Sequence, residues 1–182
     1  VGINENQPNS HLHVNSGTEN DVATFQSTNA YAHIYIKDNS THATGTYFGV
    51  QGNDFRWITH DGSSSAERLR ITGTGKVGIG EDTPQQKLHL HEDSSNGNFM
   101  VFTNSTTGAT GNDGVLFGIN SDEGGTIWNQ ENTYIRFGTN DTERMRIDAS
   151  GNVGIGTASP SSHLDVVGGT GVNLLLNAAT HD

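Results

Sequence analysis

The chain has 182 residues, with 9 Lys+Arg against 20 Asp+Glu and a formal charge of −11. Leu, Ile, Val and Phe total 38 residues, about 21%, close to the roughly 20% below which a strongly charged chain stays unfolded; Gly, Thr, Asn and Ser supply 79, so little apolar surface offsets the entropy of ordering the backbone. Nine scattered cations argue against a nucleic-acid partner, no apolar run approaches the roughly 20 residues of a membrane-spanning helix, and the absence of cysteine excludes disulfides, thiol nucleophiles and zinc knuckles.

In chain order, the alternation Ala32/Ile34/Ile36 predicts a strand with one apolar face. The cluster Asp61-Gly62-Ser63-Ser64-Ser65 predicts a turn, and Leu69/Ile71, spaced by charged residues, a strand. After Val77-Gly78-Ile79-Gly80, Thr83 stands where an N-cap would be and Pro84 at a first helical position, predicting a single helical turn from Pro84 to Leu88. Asn112-Asp113-Gly114 and Asp122-Glu123-Gly124-Gly125 predict further turns. Ile135/Phe137 and Met145/Ile147 predict strands, and Ser150-Gly151-Asn152 a turn. Ser159-Pro160 repeats the capping pattern and predicts a second short helical turn, Pro160 to Leu164. No stretch of ten or more residues has helical spacing, so the fold class is all-β.

These elements recur. Val1-Gly2-Ile3-Asn4, Val77-Gly78-Ile79-Gly80 and Val153-Gly154-Ile155-Gly156 lie 76 residues apart, each followed by Pro (8, 84, 160) and Leu (12, 88, 164). Glu67-Arg68-Leu69-Arg70-Ile71 and Glu143-Arg144-Met145-Arg146-Ile147 keep the same spacing. Between these anchors the offset drifts to 69 for Phe48-Gly49-Val50 against Phe117-Gly118-Ile119, and to 66 for Ala43-Thr44-Gly45 against Ala109-Thr110-Gly111. The domain organisation is therefore one repeat unit at 1–76, a second at 77–152 and the start of a third at 153–182. Both ends fall inside a unit, so the chain reads as a segment of a longer protein.

A unit of this length and composition buries too little to fold alone. It is also too long for one solenoid coil of about 20–30 residues. Sharing a core between parallel chains fits better than stacking coils of one. In the motif, glycine alternates with Val and Ile, which leaves one strand face bare. Such a face admits close approach of another backbone, as where strands of different chains meet. A tight turn within one chain is the other use for the same glycines.

The stretch Gly151-Asn152-Val153-Gly154-Ile155-Gly156-Thr157 … Pro160 … Leu164-Asp165-Val166 resembles the GNVGIGT-x-x-P-x-x-x-L-x-V repeat of phage tail-fibre and related virion-fibre proteins. Gly75 to Leu90 is a second good copy, and Val1 to Val14 a degenerate one in which Asn4 replaces the second glycine. The anchored motifs cover about 60 of the 182 residues. The resemblance implies an elongated homotrimeric fibre of repeated β units and an extracellular location on the virion; the residues themselves lead us to expect no enzymatic activity and no cofactor. It implies as partners the chain itself, other fibre, baseplate or capsid proteins, and a host surface glycan or protein receptor.

Candidate chemistry is thin. The His-x-His pairs His11/His13 and His89/His91 put two imidazoles on one strand face, and three chains would present three such pairs to one metal ion. However, Leu12/Val14 and Leu88/Leu90 hold the alternate, core-like parity, which turns the histidines toward solvent. Asp113, Asp122, Glu123, Glu131 and Asp141 crowd one unit. A glycosidase needs two acids roughly 5–10 Å apart across a cleft, whereas these sit mostly in turns that favour acids anyway. They also lack calcium-loop spacing. Arg68/Arg70 and Arg144/Arg146 read as an outer strand face paired with Glu67, Glu143 or a neighbouring chain's acids; sugar or phosphate binding is the other use for them. Tyr31, Tyr35, Phe55, Trp57, Trp128 and Tyr134 are core anchors or sugar platforms. The expected function is mechanical, a shaft segment of a phage tail fibre. The alternative is a glycan-binding adhesive segment of such a fibre, or of a bacterial extracellular adhesin or filament.

Overall fold

The computed structural model describes residues 2–3, 7, 12–14, 17–18, 23–39 and 45–168. Among them the fold is all-β, without helix. The chain divides into two compact units, Val1–Ser94 and Ser95–Asp182.

In the first unit, β1 (Gly2–Ile3) and β2 (His13–Val14) pair in parallel. Six strands follow: β3 (Tyr31–Ile36), β4 (Thr46–Gln51), β5 (Asp54–His60), β6 (Ser65–Ile71), β7 (Val77–Ile79) and β8 (Leu88–Leu90). They form one sheet in sequence order, antiparallel except for the parallel pair β7–β8. The turns follow the chemistry of their residues. Asp61 accepts the backbone N–H groups of Ser63 and Ser64, both at 2.8 Å, and closes the β5–β6 hairpin. Gly75, at φ +76°, donates its N–H to the Thr72 carbonyl between β6 and β7.

The register places Ala32, Ile34 and Ile36 in line with Val50 and Phe48, then Phe55 and Trp57, Ile71 and Leu69, Val77 and Ile79, and finally Leu88 and Leu90. One face of the sheet is thus apolar across all six strands, because successive side chains alternate sides. None of the described residues of the unit covers it: Ile36 is 56% and Trp57 44% exposed. Ile58, 3% exposed, is the only buried large hydrophobic residue among those described, and it lies on the opposite face beside Tyr47.

The second unit has two sheets. β9 (Asn98–Phe102), β10 (Val115–Ile119) and β11 (Gly125–Asn129) form an antiparallel three-stranded sheet. β12 (Ile135–Thr139), β13 (Thr142–Ile147), β14 (Val153–Ile155) and β15 (Leu164–Val166) form the other. The latter repeats β5–β8 strand for strand, with a parallel closing pair and a bulge at Phe137/Gly138 matching that at Trp57/Ile58. Its apolar row, Ile135 and Phe137, Ile147 and Met145, Val153 and Ile155, Leu164 and Val166, repeats that of the first unit. β3–β4 and β9–β10 also correspond. Gly49 faces His33 and Gly118 faces Phe99, and in each pair the ring packs where a glycine side chain would stand. β11 is the additional strand, and it separates the two sheets of this unit. The limits 1–76, 77–152 and 153–182 mark the period of the sequence; the sheets themselves run on across 76/77 and 152/153.

Two expectations need correction. Neither proline opens a helical turn: residues 85–87 and 161–163 are bends leading into β8 and β15. Leu88 and Leu164 are claimed as strand partners by Val77 and Val153. To run parallel to β7, the chain must travel back along it within residues 80–87, and extended backbone covers about 3.3 Å per residue against 1.5 Å for a helix. The motif glycines also serve this crossover within one chain, which accounts for them without a neighbouring strand. A Cβ at Gly78 would meet the Glu81 carbonyl, and one at Gly154 the Thr157 carbonyl. Gly80 (φ +69°) and Gly156 (φ +74°) are left-handed and lie against the carbonyls of His91 and Val167.

Candidate functional site

The face opposite the apolar one carries the polar chemistry. In the first unit the register aligns Arg56, Arg70, Gly78 and His89 across four strands. The bulge leaves Arg68 as the extra residue of β6, so Glu67 turns to the same side as Arg70. Glu67 then accepts from Arg70 Nε at 2.6 Å and Nη2 at 2.9 Å, and pairs with Arg56 Nη1 at 3.2 Å. Asp54 closes the lattice with Arg70 Nη1 at 2.8 Å, and Gln51 Oε1 accepts from Arg56 at 2.6 Å. Backbone N–H donation from Gly73, followed by the Arg70 guanidinium, holds the Asp54 carboxyl below its ordinary range. The same acids, Glu67 first, push Arg70 further up.

Beside this lattice runs an aromatic strip. His33 lies 5.6 Å from Tyr31 and 4.6 Å from Tyr47, and Tyr47 lies 4.8 Å from Tyr35, ring centre to ring centre. Arg56 stands over Tyr31 at 5.3 Å. Burial, and secondarily the charge of Arg56, push the His33 imidazole below its usual value.

The second unit repeats the lattice with two substitutions, Asp165 for His89 and Tyr134 for Asp54. Arg136, Arg146, Gly154 and Asp165 occupy the positions of Arg56, Arg70, Gly78 and His89. Glu143 takes the role of Glu67, accepting from Arg146 Nε and Nη2, both at 2.8 Å. Those bonds, and then the Arg146 charge, hold Glu143 below the usual range. Asp54, however, corresponds to Tyr134, since Phe55 pairs with Ile71 as Ile135 pairs with Ile147. The Tyr134 ring lies 4.1 Å from the Arg146 guanidinium and 5.8 Å from that of Arg136.

The remaining sequence candidates scatter. His89 and His91 share the polar side, 6.3 Å apart between ring centres, with Glu81 Oε2 3.9 Å from His89 Nδ1. His89 Nδ1 also accepts the Gln85 N–H at 3.4 Å, a role Asp165 plays for Ser161 at 2.9 Å. Among the described residues no group of three or more His, Asp or Glu is placed to hold a metal. His11 lies outside the described residues, as does the side chain of His13. Three of the acids serve turns: Asp113 accepts the Thr110 N–H, Asp122 the Gly124 N–H and Glu131 the Gly114 N–H. Glu123 and Asp141 occupy left-handed turn positions. Phe55 and Trp57 lie on the apolar face, Tyr31 and Tyr35 on the aromatic strip; Trp128 is 61% exposed, so within one chain it is no buried anchor. Glu67 and Glu143 are indeed the partners of Arg70 and Arg146, while Arg68 and Arg144 donate to Thr59 and Thr139 hydroxyls.

Arg136 and the Arg–Tyr contacts were missed from sequence. The signal was the pair Asp54-Phe55-Arg56 and Tyr134-Ile135-Arg136, hidden by an offset of 80 rather than 76. No protein-family model matches the chain, and no curated protein matches it significantly.

Proposed function

We propose that the chain is a shaft segment of a phage tail fibre or a similar virion fibre, in which three parallel copies share one core. The observation that carries this reading is the uncovered apolar face, present on β3–β8 and again on β12–β15. A single-layer sheet with such a face does not offset its ordering entropy in water. Partner copies that cover it supply the missing burial at about 25 cal/mol per Å2 of apolar surface. The opposite face, with its arginine–carboxylate lattice, suits solvent. The role is mechanical: spacing a distal receptor-binding element from the particle and transmitting its engagement. The resemblance of Val153 to Val166 to fibre repeats supports the assignment to virions.

Sedimentation equilibrium of the chain tests the assembly. The expected mass is three times 19.4 kDa. A stable compact monomer would sink the proposal.

A further inference from the structure

The two units differ in which strand edges they leave open. In the second, β13 and β14 are paired on both sides, whereas among the described residues β12 pairs only with β13 and β15 only with β14. In the first, β4 occupies the edge of β5 that corresponds to the open edge of β12. β10, the counterpart of β4, has no side left for β12, because it lies between β9 and β11. At the other end the units agree: β8 is open like β15, and residues 91–168, all described, do not return to pair with it. An open strand edge is a template for another chain.

The two open edges of β12–β15 suit each other in heading, charge and spacing. β12 and β15 run in the same direction. Rotation about an axis along the strands keeps that heading, so β15 of one copy can lie beside β12 of the next in the parallel sense of β14 and β15. Repeated around the axis, this one contact closes a ring. The polar row runs Arg136, Arg146, Gly154, Asp165, with opposite charges on its two edges. Setting β12 against β12, or β15 against β15, opposes like charges; β15 against β12 opposes unlike ones. Four strands about 4.8 Å apart make a wall roughly 20 Å wide, and three such walls set their axis about 6–7 Å from each. Met145, Ile147 and Ile155, on the apolar row of the two central strands, are long enough to fill that distance.

We infer that the β12–β15 modules of three copies close head to tail around a common axis, with β15 of each copy beside β12 of the next and the apolar rows turned inward. This rests on the reading that three copies share a core, and it names the surfaces at which they touch. The contact is heterologous: each copy offers one edge of the module and receives its neighbour at the other. It belongs to the second unit, since in the first the chain's own β4 fills the place a neighbour would take.

The test is a charge cycle on the whole chain, with dissociation of the assembly followed by sedimentation over a dilution series in about 0.1 M salt. Within one chain Arg136 and Asp165 stand three strand spacings apart, about 14 Å, which exceeds the screening length of about 10 Å, so they couple weakly there. Across the proposed contact they are neighbours. Arg136→Glu is expected to raise the dissociation constant about tenfold or more, because a modest loss at an exposed pair is counted at three contacts per trimer. Asp165→Asn keeps an oxygen for the Ser161 N–H that Asp165 accepts at 2.9 Å, and is expected to raise it about threefold or more. In the Arg136→Glu background the sign inverts, and Asp165→Asn tightens assembly by relieving repulsion. Circular dichroism verifies that each variant is folded. Unchanged assembly of folded Arg136→Glu, or weakening by Asp165→Asn in both backgrounds, overturns the inference; if the wild type still sediments as three chains, the shared core survives. A wild type that sediments as one chain overturns both.

Discussion

Replacing Gly80 by alanine sets a Cβ against the carbonyl of His91, in a residue whose φ is +69°. The left-handed backbone alone costs a non-glycine residue about 1 kcal/mol. The carbonyl must also move, which disturbs the 2.9 Å bond from the His91 N–H to the Ile79 carbonyl that ends the parallel pairing. Losing that bond adds about 1 kcal/mol, and more if the carbonyl is left unpaired, for a total of about 2–3 kcal/mol. Gly75 is the internal control. Its φ is +76°, but nothing lies within 4 Å of an added Cβ, so Gly75→Ala is expected to cost only about 1 kcal/mol. The repeat provides a second experiment: Gly156 is crowded by Val167, and Gly151 is left-handed and open. Urea unfolding of all four variants, at one fixed protein concentration because assembly shifts apparent stability, reads the costs directly. Equal losses for Gly75→Ala and Gly80→Ala, or a larger loss at Gly151 than at Gly156, would refute the assignment of the motif glycines to the crossover.

On the apolar face, Trp57→Asp or Ile155→Asp is expected to reduce the sedimenting mass toward that of one chain, because each buries a charge where a partner copy would pack; unchanged mass counts against a shared core there. Glu67→Ala is expected to destabilise more than Glu143→Ala in urea unfolding, since Glu67 meets two guanidiniums and Glu143 one. Asp54, Asp148, Asp165 and Glu143 all titrate below their ordinary values, each held first by a hydrogen bond from the protein. Carboxyls that titrate lower in the folded state contribute stability fully above about pH 4, and that contribution disappears as the pH falls through their folded values. Unfolding midpoints measured from pH 6 to 2.5 are therefore expected to drop below about pH 4, and Asp148→Asn to flatten the drop.

What was legible in the sequence is what period two and turn chemistry encode. Leu69/Ile71, Met145/Ile147 and Ile135/Phe137 are strands because apolar and polar residues alternate, and the Asp/Gly/Ser clusters between them are turns. Asn98–Phe102 escaped because Phe99, Met100, Val101 and Phe102 are apolar on both sides and show no alternation. The post-proline turns failed because capping patterns are local, whereas the partner that claims Leu88 is eleven residues upstream. Strict alternation also places Glu67 on the opposite side from Arg70, and only the bulge at Arg68 brings them together. The polar lattice is therefore readable as a composition of charges but not as a geometry. Its irregularities, Tyr134 in place of Asp54 and Asp165 in place of His89, show only once the two sheets are aligned by register.

The parallel closing pair has a consequence for the path of the chain. In a fully antiparallel sheet with an even number of strands, the backbone returns to the end at which it entered. β5–β8 and β12–β15 are four-stranded, yet in each the last strand runs in the same direction as the first. The backbone therefore enters each module at one end and leaves at the other. The module is vectorial, and copies joined in series can keep a single N-to-C heading without doubling back. Antiparallel strands ahead of it, two in the first unit and three in the second, leave the heading of the module itself unchanged. The short loop from Gly80 to Lys87 gives the repeat its direction.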